Sequence, residues 1–206
     1  MKLLLSSTGP SRVHDAALVD LVGKPIEEVR VAYIENAYDV YNDEASLVEG
    51  RAILARHGYA FELVDLREWR TDRRGLRGLL EKFDAVLLTG GNPYYLRSLM
   101  KLTGADEIIT DLVQKGMVYA GASAAAVVAG PTLRHFDELD DPAEAEELIM
   151  EGLGLTQTVI APHVDNAEFG EGCRKSGDLC ELDGYTVQRI TDAQALVIDD
   201  DEQHIV

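Results

Sequence analysis

Five short apolar runs punctuate the first 130 residues: KLLLSS from residue 2, VRVAYIE at 29–35, AFELVDL at 60–66, DAVLLTG at 84–90 and MVYAGAS at 117–123. Each is nearly continuous rather than alternating, the pattern of strands buried on both faces of a sheet. Helical patterns fill the intervals at 13–22, 44–57, 74–82 and 93–115, the second closed by Gly58 and the last broken near Gly104. Strand alternating with helix in this way predicts an α/β fold with a doubly wound, mostly parallel sheet.

Beyond residue 130 the rhythm weakens. The segment LRHFDELDDPAEAEELIMEGLG at 133–154 reads as an acidic loop followed by a short helix, and TVIAPHVD at 158–165 as a further strand. The tail YTVQRITDAQALVIDDDEQHIV suggests two or three strands paired by hairpins. With no repeat or linker, 206 residues suit a single domain over 1–206.

Composition narrows the function classes. No run of 18 apolar residues offers a membrane span, and the apolar start MKLLLSS is too short for the core of a secretory signal, so it reads as a first strand. Two cysteines, Cys173 and Cys180, lack partners at metal-binding spacing; a reduced, cytoplasmic protein without a metal is expected. A net charge of −18, with 19 basic residues against 37 acidic ones, argues against nucleic acid. No G-x-G-x-x-G follows a strand, which argues against a flavin or dinucleotide, and no cofactor is expected.

Ligands of open α/β sheets bind at the carboxyl ends of the strands. Three segments fall there: LLTGGNPYYL (87–96), YAGASAAA (119–126) and IAPHVDN (160–166). In the second, strand runs straight into helix through small residues, the context of a strained turn that lifts a nucleophilic Ser123 above the sheet. Taken alone, this segment favours the plainer reading, in which Ser123 caps that helix as serine often does. Gly90-Gly91 could offer backbone N–H groups to an oxyanion together with Ala124, or form an ordinary turn with Asn92 as N-cap and Pro93 at the first helical position. His163 and His135 have a route to the same edge, and Asp137, Glu138, Asp140, Asp141 and Asp165 could orient an imidazole.

Taken in order, G-G-N, G-A-S-A-x-A, G-P-T-x-R, an acidic loop and P-H resemble the dipeptidase E family of serine peptidases, the aspartyl dipeptidases, with cyanophycinase as a relative. The resemblance covers nearly the whole chain. It implies a flavodoxin-like sheet related to class I glutamine amidotransferase domains, and a serine exopeptidase acting on dipeptides with N-terminal Asp. Ser123 matches the nucleophile, His163 the base, and Glu138, or Asp137 beside it, the acid. Gly91 and Ala124 match the oxyanion hole, Asn92 falls in the substrate-binding segment, and Arg174 is the candidate for holding an acidic substrate side chain. The implied partner is a small peptide, with a homodimer left open.

The chain departs from the family pattern at Ala125, where glycine is usual, and in the spacing from His163 to Arg174. Two rival readings are a noncatalytic module of the same fold that binds a small ligand, and a serine esterase or amidase.

Overall fold

The computed structural model describes all 206 residues. Its strands are β1 (Lys2–Ser6), β2 (Arg30–Ile34), β3 (Ala60–Leu63), β4 (Ala85–Leu88), β5 (Val118–Ala122), β6 (Thr158–Ala161), β7 (Thr186–Arg189), β8 (Ala195–Asp199) and β9 (Glu202–Ile205). Seven of them form one sheet in the order β3-β2-β4-β5-β1-β8-β9, while β6 and β7 pair separately. The first five are mutually parallel, and β8 and β9 extend the sheet antiparallel beyond β1.

Period-two alternation sorts each strand's side chains between two cores. Leu3 and Leu5 of β1, Val86 and Leu88 of β4 and Tyr119 of β5 join the larger core, under α3 (Arg73–Leu80), α4 (Pro93–Thr103), α5 (Ala105–Gln114) and α6 (Ala124–Ala129). Leu4, Leu87 and Ala120 face the other side, under α1 (Arg12–Val22). Helix α2 (Glu44–His57) lies on that side too, but Leu54 is its one fully buried residue. It therefore covers the sheet loosely, which leaves a recess beside α1.

The helices at 13–22, 44–57 and 93–115 form as the sequence indicates, with Gly23, Gly58 and Gly104 all ending helices in the left-handed conformation that costs glycine least. Two differences stand out after residue 130. The acidic segment holds only a 3-10 turn, Pro142–Glu144, rather than a short helix. A full helix, α7 (Gly170–Leu182), follows His163, where three glycines mask the signal; its buried face is Cys173, Ser176, Gly177 and Cys180, at helical spacing. The tail also differs from a run of hairpins: β8 and β9 form one, but β7 pairs in parallel with β6.

Candidate active site

Strand β5 ends between β1 and β4, and there Ser123 adopts φ 50° and ψ −113°. A non-glycine residue at positive φ is strained, by about 1–3 kcal/mol, and is held there only by its surroundings. Those surroundings are small and close. The Ser123 N–H donates to the Ser6 carbonyl at 2.9 Å. A side chain at Gly90 would come within 3.1 Å of the Ser123 Cβ. At Gly121 it would meet the Ala125 carbonyl at 2.8 Å, so the glycine that keeps the turn tight lies before the serine. Ala125 itself is fully buried, and its carbonyl accepts from the Tyr119 hydroxyl at 2.7 Å; the methyl is accommodated without flattening the elbow.

Although Ser123 occupies the N-cap position of α6, its side chain makes no capping bond. Its Oγ instead lies 2.8 Å from His163 Nε2. The other ring nitrogen, Nδ1, is 2.5 Å from Asp192 Oδ1. Because an ionised carboxylate only accepts, Nδ1 carries the proton and Nε2 is left as the acceptor for the serine hydroxyl. Asp192 is held in turn. Ser7 Oγ donates to Oδ1 at 2.9 Å, Asn166 Nδ2 donates to Oδ2 at 2.8 Å, and the Asp192 N–H donates to Asp165 Oδ1 at 2.8 Å. Partial burial pushes the Asp192 carboxyl up, but the hydrogen bonds from Asn166, His163 and Ser7 outweigh it and hold the group below the ordinary carboxylate range.

Two further groups complete the edge. Gly91 and Ala124 both line the cavity over Ser123, and neither backbone N–H has an acceptor within the protein. Gly91 takes φ 132°, and a side chain there would overlap the Ala37 carbonyl, so only glycine fits. Two unpaired N–H groups flanking a serine hydroxyl suit a developing oxyanion.

Of the other sequence candidates, Asp140 lines the cavity and Asp165 supports Asp192, but the remainder lie elsewhere. Glu138 is on the surface, paired with Lys175, and Asp137 is exposed; neither touches His163, so the acid expected from this loop is replaced in the geometry by Asp192. Asn92 is buried and fully engaged: Oδ1 caps α4 by accepting from the N–H groups of Tyr94 and Tyr95, and Nδ2 donates to the Asp141 carbonyl at 2.9 Å. It does not line the cavity, and its position is explained by the cap. The exposed Arg174 donates to the Val164 carbonyl and likewise does not line the cavity. His135 pairs with Asp183 at 2.9 Å. Asp192 and Ser7 were the residues the sequence did not single out. The signal for Asp192 was the parallel pairing of β6 with β7, whose ends release His163 and Asp192 side by side, and a hairpin reading of the tail conceals it.

Fold and site together describe a flavodoxin-like α/β protein with a mostly parallel sheet and a serine, an imidazole and a carboxylate aligned at its carboxyl edge. The chain matches Peptidase family S51 over residues 3–206, and it belongs to that family. It is accordingly a peptidase of the peptidase E group. An uncharacterized peptidase of Listeria innocua is 30% identical over 140 residues, 68% of this chain and 66% of the relative. Peptidase E of Streptomyces coelicolor is 38% identical over 84 residues, 41% of this chain and 33% of that protein. Among solved structures, a Listeria monocytogenes protein assigned provisionally to peptidase E superimposes with a TM-score of 0.82 at 25% identity, over 100% of this chain and 97% of that one. A peptidase from an acI-B1 actinobacterium gives 0.75 at 20% identity, over 100% and 86%.

Proposed function

We propose that the chain is a serine exopeptidase that hydrolyses dipeptides and similarly short peptides through Ser123, His163 and Asp192. The observation that carries this reading is the unbroken line from Ser123 Oγ to His163 Nε2 at 2.8 Å and from His163 Nδ1 to Asp192 at 2.5 Å. His163 takes the hydroxyl proton as Ser123 Oγ attacks the peptide carbonyl. The carbonyl oxygen becomes an oxyanion received by the N–H groups of Gly91 and Ala124. His163 then returns the proton to the leaving amine as the C–N bond breaks, giving an acyl-enzyme. Water, deprotonated by the same imidazole, attacks the ester and releases the acid, which regenerates Ser123. Asp192 stays ionised throughout and stabilises the imidazolium.

The aspartyl preference implied by the family resemblance has less support. Its proposed carrier, Arg174, is turned to a backbone carbonyl, and no Lys or Arg lines the cavity.

The reading is tested by fluorophosphonate labelling and by hydrolysis of a dipeptide panel. Wild-type protein is expected to label at Ser123 and to turn over. Ser123→Ala is expected not to label and to keep at most the residual rate, about 10³–10⁴-fold over water, that binding and the oxyanion hole supply without the nucleophile. A folded wild-type protein inert to the probe would instead favour a noncatalytic ligand-binding module.

A further inference from the structure

The cavity above Ser123 is larger than acyl transfer requires. It has a volume of about 870 Å³, inside the range of small-molecule sites. From the serine it continues over the face of the sheet that α2 covers loosely, where Leu4, Leu18, Tyr33, Leu47, Ile53 and Leu87 line it.

We propose that this recess is the specificity pocket of the peptidase, and that it receives a large apolar, above all aromatic, side chain on the residue whose carbonyl Ser123 attacks. The inference rests on the serine-peptidase reading for its connection to catalysis, but the pocket can be examined without turnover. Charge supports it. The one carboxylate in the lining is Asp140, to which the Tyr41 hydroxyl donates at 2.5 Å, and there is no cation to balance a second one. An aspartyl side chain entering this space would lose its hydration and gain no cationic partner, whereas an apolar one gains by leaving water.

The polar exceptions refine the ligand. His14 and Thr89 both line the cavity, and His14 Nε2 and Thr89 Oγ1 are buried without a partner. The His14 Nδ1 lies 3.2 Å from the Gly9 carbonyl, which can only accept, so Nδ1 bears the hydrogen and Nε2 is a bare acceptor. A phenol hydroxyl is a donor of the right kind for it. Tyrosine therefore belongs with phenylalanine in the preferred class.

The experiment combines kinetics with binding. For Phe-Leu, Tyr-Leu, Ala-Leu and Asp-Leu, the wild-type kcat/KM for the two aromatic substrates is expected to exceed that for Ala-Leu by about 10²-fold, since one methylene in such a pocket already counts for about 10–200-fold. Calorimetry on Ser123→Ala is expected to show Phe-Leu binding at least about tenfold tighter than Asp-Leu. Leu47 and Ile53 are only partly buried, so Leu47→Trp and, independently, Ile53→Trp can fill the recess without disturbing the core. Each is expected to lower the Phe-over-Ala ratio at least about tenfold. Asp-Leu binding as tightly as Phe-Leu, or an unchanged ratio in both folded variants, overturns the proposal. If the wild type hydrolyses nothing while Ser123→Ala still binds Phe-Leu selectively, the pocket stands and the peptidase mechanism falls; turnover without aromatic preference gives the reverse.

Discussion

The imidazole of His163 has one carboxylate against it, and that choice has measurable consequences. Asp192→Asn keeps the shape but offers Nδ1 a group that can donate, which favours the wrong tautomer; kcat/KM is expected to fall by about 10⁴-fold. Glu138→Gln removes only a surface ion pair with Lys175 and is expected to leave kcat/KM within about threefold of wild type, consistent with the small worth of exposed pairs. Reversal of these two effects in parallel steady-state measurements would return the acid to the 137–138 loop. Asp140 makes a pH prediction of opposite sign to Asp192. Burial pushes the Asp140 carboxyl up, against the Tyr41 hydrogen bond and the proximity of His163. A carboxyl raised in the folded state binds its proton more tightly there than in the unfolded chain, so its ionisation costs stability as pH rises from the unfolded value of about 3.9 through the folded one. Asp140→Asn is thus expected to raise Tm at pH 7, with the gain shrinking toward pH 4, measured by thermal melts across that range.

At the level of elements, the N-terminus of α4 separates a structural from a binding role for Asn92. Asn92→Ala removes the cap and leaves the Asp141 carbonyl without its donor, so a loss of about 1–3 kcal/mol in denaturant unfolding is expected, with KM unchanged. A raised KM at full stability would place Asn92 back among the substrate contacts. The same scale explains what could be read from sequence. Strands β1 to β5 and the helices between them are legible because each is a local pattern, with Gly23, Gly58 and Gly104 marking where three of the helices end, and Ser123 and His163 follow from their places at strand ends. Helix α7 is hidden by Gly170, Gly172 and Gly177, which lower helix propensity, although a Cβ at Gly177 would come within 3.4 Å of the Ala161 side chain. Asp192 was hidden for a different reason. Its role depends on which distant strand β7 joins, and nothing within the tail states that.

Across the whole molecule, 37 acidic residues against 19 basic ones leave a net charge of −18, and many basic side chains are already spent in ion pairs such as Arg51–Glu35 and Arg189–Glu181. Self-repulsion of the surplus is screened by salt, as the Debye length falls from about 30 Å at 0.01 M to about 3 Å at 1 M. Tm is expected to rise over that range in sodium chloride; a flat or falling Tm would show that the pairs outweigh the surplus. The groups proposed to react are also divided at this scale. Ser123, Gly91 and Ala124 stand at the edge of the seven-stranded sheet, whereas His163 and Asp192 follow the strands of the small one. Ser7, from the end of β1, accepts the His163 N–H at 2.7 Å and donates to Asp192 at 2.9 Å through one hydroxyl. That oxygen is the rivet of a caliper whose two jaws are separate sheets, and the opening between the jaws is the serine-to-imidazole gap. Loosening the rivet changes alignment while leaving both jaws intact.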